Sequence, residues 1–148
     1  MSLWDWTVGA YARPGTPEAT LDLQDRYGQN TAFLLWAVWA EGPPDETLAK
    51  AAAMTKSWDQ LVLMPLRDVR RKLKPALVDV DDGARQALRE DVKSAELRAE
   101  RVLMESLEAM CGAAVGGRPA LESLRLASAT WGDRAPESAL AVLAGALG

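Results

Sequence analysis

Ten consecutive uncharged residues, TAFLLWAVWA at positions 31–40, set the strongest limit on what this chain can fold into. As a helix they would span only ~15 Å, at ~1.5 Å per residue. A bilayer core needs roughly twenty apolar residues, so the run is too short to cross a membrane. A helix that is apolar on every side has one other home, the middle of a helical bundle. Asn30 offers an N-cap before the run, and Gly42-Pro43-Pro44 closes it. Residues 31–41 are therefore expected to form a central helix.

Helix signals recur along the rest of the chain, and strand signals hardly appear. Ser2 followed by Asp5 is an acidic variant of the capping box, and Trp4, Val8 and Tyr11 then share a face. Arg13-Pro14-Gly15 ends that helix. Thr16-Pro17-Glu18 restarts one, with Thr16 as N-cap and Pro17 in the first turn. It carries the stripe Ala19, Leu23, Tyr27 and stops at Gly28. From Asp45 to Lys74 two stripes follow, Leu48, Ala52, Thr55 and then Trp58, Leu61, Val62, Leu66, Val69, Leu73. Pro65 interrupts this segment, by kinking one helix or by separating two. ALVDVDD at 76–82 reads as a loop, and 83–111 as the longest helix, with the stripe Leu88, Val92, Ala95, Ala99, Val102, Met110. GAAVGGRP at 112–119 reads as a flexible connector. Gly112 and Gly116 match GxxxG, but without the long apolar helix that gives the motif its mechanism. Short helices are expected around Leu121–Trp131 and from Pro136 to the end. The expected fold is all-α: a single domain over 1–148, with six or seven helices in an irregular or orthogonal bundle around residues 31–41.

The totals narrow the chemistry. The chain has 148 residues, a net charge of −4, one cysteine and no histidine. Without histidine there is no Ser-His-Asp or Cys-His nucleophile, no HExxH zinc site and no histidine base. The acidic balance disfavours a general hold on nucleic acid. A lone Cys111 forms no internal disulfide and suits a reducing compartment. No basic segment followed by an apolar run opens the sequence, so the expected location is the cytoplasm.

Three stretches taken together carry a resemblance. They are LWDWTVGAYARPGTPEATLDLQDRYGQNTAFLLWAVW, WDQLVLMPLRDVRRKLK and KSAELRAERVLMESLEAM. The chain resembles, over most of residues 3–110, a bacterial family known as domain of unknown function 2390. That resemblance implies a cytoplasmic bacterial protein. It brings no activity, cofactor or catalytic residue with it.

Two clusters are candidates for binding. The first is aromatic: Trp4, Trp6, Tyr11, Trp36 and Trp39. Such rings either fill a core or line a groove or pocket. Trp4 and Trp6 are two apart and face nearly opposite sides of a helix, so at most one points fully into the core. The second is RDVRRKLK, the only basic cluster, where Arg67, Arg70, Arg71 and Lys74 lie on one broad side, opposite Val69 and Leu73. It reads as a solvated helix face or as a site for an acidic partner. The expected function is non-catalytic binding of another protein, including a second copy through the 83–111 helix, with no cofactor and no metal. The alternative is an apolar or anionic small molecule held in a Trp-lined pocket.

Overall fold

Ser2 opens helix α1 (Leu3–Tyr11): its hydroxyl accepts the Asp5 amide at 3.1 Å and donates to the Asp5 carboxylate at 2.9 Å. The computed structural model describes residues 1–112 and 117–148. The expected connector at 112–119, and Gly116 with it, falls partly outside the described residues. Every regular element among those described is helical, as the patterning predicts. The chain divides into two compact units, Met1–Met54 with Met104–Gly148, and Thr55–Leu103.

In the first unit, α1 buries Leu3, Thr7 and Ala10. The expected face was Trp4, Val8, Tyr11, and it lies about one position out of phase. Val8 is 56% exposed and Tyr11 38%. Both faces of this short helix carry apolar side chains, and the smaller residues fit the closer approach. Glu108 completes the α1 terminus from a distance, accepting the Leu3 amide at 2.8 Å.

Helix α2 (Thr16–Tyr27) begins one residue earlier than expected. Gly15, at φ 90°, is its N-cap, and Thr16 is buried inside the first turn. Gly28, at φ 63°, ends it by donating its amide to the Leu23 carbonyl. Both glycines sit in the left-handed region that costs other residues most.

Helix α3 (Thr31–Trp39) is the centre. Asn30 caps it, its side-chain oxygen accepting the Phe33 amide at 2.9 Å. Phe33, Leu35, Trp36 and Ala37 are all 0% exposed, so the helix is covered around its circumference. It packs against α1, α2 and α7 (Ala120–Trp131), while α8 (Glu137–Leu147) packs against α2 and α7. Phe33 lies between two indoles, with ring centroids 5.8 Å from Trp36 and 5.5 Å from Trp131. Each of those indoles donates its N–H to a carbonyl: Trp36 to Cys111 at 3.2 Å and Trp131 to Gly28 at 2.9 Å. The chain leaves α3 through Glu41 at φ 58° and Gly42 at φ 82°.

Helix α4 (Asp45–Trp58) continues without a break through a π turn (Asp59–Leu63) into α5 (Met64–Lys72). Pro65 therefore neither splits the segment nor ends it. Proline lacks an N–H and crowds the carbonyl four residues back, and a wider turn just before it relieves both problems. Met64 donates instead to the Asp59 carbonyl. Counting this rod once, the described residues hold seven helices.

The Thr55–Leu103 unit pairs the end of that rod with most of α6 (Asp82–Met110). The loop expected at 76–82 is present but spans 73–81, with Asp82 already opening α6. Trp58 donates its indole N–H to the Ala99 carbonyl at 2.9 Å. Arg85, only 6% exposed, donates to the carbonyls of Leu73 at 2.5 Å and Lys74 at 2.9 Å, closing the C-terminus of α5. Asp82 holds the same guanidinium at 2.7 Å.

Two outcomes follow from the centre of the first unit. Trp36→Ala destabilises the fold by about 3–5 kcal/mol in denaturant unfolding, as a buried large-to-small change, and Trp36→Phe costs less. Gly42→Ala costs about 1–3 kcal/mol, because φ is 82° and the new Cβ runs into the Arg118 side chain.

Candidate functional site

The sequence candidates separate into three groups. Trp36 and Trp39 are core residues, 0% and 9% exposed. Trp4 and Trp6 are half-buried and Tyr11 is exposed, so neither Trp4 nor Trp6 points fully into the core. The basic residues lie in the other unit, at the end of α5, and they divide again.

Arg70 donates to Glu96 at 2.9 Å, with side chains 28% and 13% exposed. Arg67 stands 3.8 Å from Asp59. Both cations thus answer carboxylates of their own unit. Arg71 and Lys74 are exposed. The basic side of α5 is therefore neither a simply solvated face nor an open anion site, because Arg70 clamps the helix pair and Arg67 pairs within the rod.

The clamp has its own electrostatics. Glu96 and Glu100 are one turn apart on α6. Burial pushes the Glu100 carboxyl above its ordinary range, and Glu96 adds to the rise, while Arg67 and Arg70 pull it down. Arg70, Lys93, Glu96, Leu97 and Glu100 line a shallow depression here. A buried carboxyl beside arginines is an arrangement shared by active sites and structural ion networks. Here the carboxylates answer arginines across the helix pair. Cys111 shows the same effect of burial, which pushes its thiol up and leaves it less reactive.

The opposite flank of the pair is apolar. At ~100° per residue, Glu96 and Glu100 lie on one side of the buried line Arg85, Ala99, Leu103, and Leu88, Ala95 and Val102 lie on the other. All three of the latter are exposed, Leu88 by 51% and Val102 by 38%. The expected long-helix stripe is thus corrected: its Ala99 is buried, while Leu88, Ala95 and Val102 face outward. Likewise on the rod, Leu61 is 76% and Val69 43% exposed, and Leu63 takes the buried place. Val69 sits on the side of α5 away from Arg67, so it continues the apolar flank. In the loop Leu77, Val78 and Val80 are also exposed, by 48%, 89% and 50%. No helix among the described residues is long and apolar enough to cross a membrane.

Sequence reasoning offers the 83–111 helix as a surface for a second copy but does not separate this flank from the helix's core-facing stripe. The seven-residue spacing of Leu88, Ala95 and Val102 was the available signal. Arg85 and Glu108 gave no signal, since each caps a helix terminus that only the fold brings near.

A family model described as a protein of unknown function (DUF2390) matches residues 2–107. Comparison with curated proteins and with solved structures finds no match to this chain.

Two measurements probe the clamp. A carboxyl whose folded pKa is raised adds stability at acid pH that is lost as pH rises through the folded value. Glu100→Gln is therefore expected to raise Tm near neutral pH, the gain shrinking as the buffer is acidified through the carboxylate range. Arg85→Leu is expected to cost about 1.5–3 kcal/mol, read from denaturant unfolding.

Proposed function

We propose that this chain, which belongs to the DUF2390 family of proteins of unknown function, is a non-catalytic helical module that acts by binding another protein, in the cytoplasm of a bacterium. The observation that carries this reading is the apolar flank of the Thr55–Leu103 unit. A stable monomer seldom leaves a contiguous apolar strip open, and such strips mark interaction surfaces. Leu88, Val69 and Val102 supply the strip. Arg71 and Lys74, exposed at the end of α5 on the side opposite Val69, supply a separate basic surface that suits an acidic part of a partner reaching around the helix end. Arg70 contributes by holding the helix pair together through Glu96, and Arg67 by its pair with Asp59 on its own rod. Trp36 and Trp39 contribute by filling the core. Trp4 with Tyr11 on one side of α1, and Trp6 on the other, offer smaller aromatic surfaces.

A small molecule in a Trp-lined pocket has less support. The Trp36 ring is packed against Phe33 and its N–H is already bonded to the Cys111 carbonyl.

Affinity capture from a bacterial lysate tests the reading. The wild-type chain is expected to retain a protein that Val69→Lys with Leu88→Lys loses, while circular dichroism of the variant is unchanged. Arg71→Glu with Lys74→Glu weakens the same capture by several-fold. Retention unaffected by either pair of changes, or native mass spectrometry of the purified protein showing a bound small molecule lost in Trp36→Phe, overturns it.

A further inference from the structure

The outward flank of α6 has an order in which the apolar and small positions read the same way from both ends while the two charges exchange sign. Leu88, Asp91, Ala95, Arg98 and Val102 run in turn as apolar, acid, small, base, apolar. All five are exposed. Leu88, Ala95 and Val102 repeat every seven residues, the spacing that keeps a seam facing a partner helix. Asp91 and Arg98, also seven apart, run along one margin of that seam. No ion pair within the chain occupies either of them among the described residues, although the neighbouring Lys93–Glu90 and Arg70–Glu96 pairs are made.

We infer that the occupant of this flank is a second copy of the same chain, with the two α6 helices antiparallel about a two-fold axis near Ala95. The inference rests on the protein-binding reading above and names its partner. An antiparallel two-fold at residue 95 sets Leu88 against Val102 of the other copy, and Ala95 against Ala95. It brings Asp91 beside the other copy's Arg98, and Arg98 beside its Asp91. An isologous contact requires such self-complementarity. The small side chain at the axis lets the helices approach closely, and the seam from Leu88 to Val102 runs ~21 Å, at ~1.5 Å per residue. Val69 on α5 flanks the seam, so two helix pairs assemble into a four-helix bundle. Opposite charges pair in this arrangement, whereas a parallel pairing would set Asp91 against Asp91 and Arg98 against Arg98.

Sedimentation equilibrium of the purified full chain, over a dilution series from roughly 1 to 500 μM, gives the test. The expected result is a monomer–dimer equilibrium that Ala95→Lys abolishes without loss of helicity. Asp91→Arg and Arg98→Asp are each expected to weaken it by roughly tenfold, and mixing those two variants restores a dimer containing one chain of each. The double variant carrying both changes also recovers. A chain that stays monomeric throughout overturns the inference. So does a dimer indifferent to Ala95→Lys, or one in which the mixed variants fail to recover. If the monomeric chain still captures another protein through Val69 and Leu88, only the identity of the partner falls. If it captures nothing, the protein-binding reading falls with it.

Discussion

The Trp36 side chain is the constraint on which the first unit depends. A large aromatic body with one polar N–H is stable in a core only when that hydrogen finds an acceptor. The Cys111 carbonyl supplies it. One bond therefore ties the central helix to the end of α6. Phe33 then links that indole to Trp131, whose own N–H returns to the Gly28 carbonyl. Burial, ring packing and two indole-to-carbonyl bonds act on the same few residues. Loss of any one leaves the others strained or open.

The Thr55–Leu103 unit solves a different problem with the same tools. Trp58 again donates to a backbone carbonyl across helices. Arg85 satisfies the last carbonyls of α5, and Arg70 with Glu96 closes one flank by charge. The interior between its helices is thin. Its fully covered apolar side chains are few, with Leu63, Ala99 and Leu103 the main ones. Two helices alone cannot cover all of their apolar surface, so one flank is closed by ion pairs and the other stays exposed. That division of labour links the fold to the proposed function.

Local chemistry was the legible part of the sequence. Ser2, Asn30 and Gly28 act where their types and neighbours say they should, because a cap is decided within four residues. The burial of residues 31–40 was equally legible, since no alternative could hide so much apolar surface in so short a run. Phase was harder to read. Helices α1 and α6 carry apolar residues on two faces, and spacing alone ranks neither. Leu3 with Ala10, and Ala99 with Leu103, won the interior, leaving Val8, Leu88 and Val102 outside. Pro65 announced a missing hydrogen bond but not the π turn that accommodates it. The long-range caps, Glu108 on α1 and Arg85 on α5, depend on topology that no local pattern encodes. The basic cluster is plain in the sequence, but the Glu96 carboxylate that Arg70 meets comes near only when the helices are paired.

The central claim is that α3 is closed off within the monomer while residues 88–102 of α6 are left open for a second chain. Amide hydrogen exchange of the purified protein at low and high concentration tests both halves at once. The account predicts that the amides of Phe33–Ala40 exchange only with global unfolding at either concentration, and that peptides spanning 88–102 gain protection as the protein is concentrated. Early exchange in α3, or protection of 88–102 that ignores concentration, would contradict it.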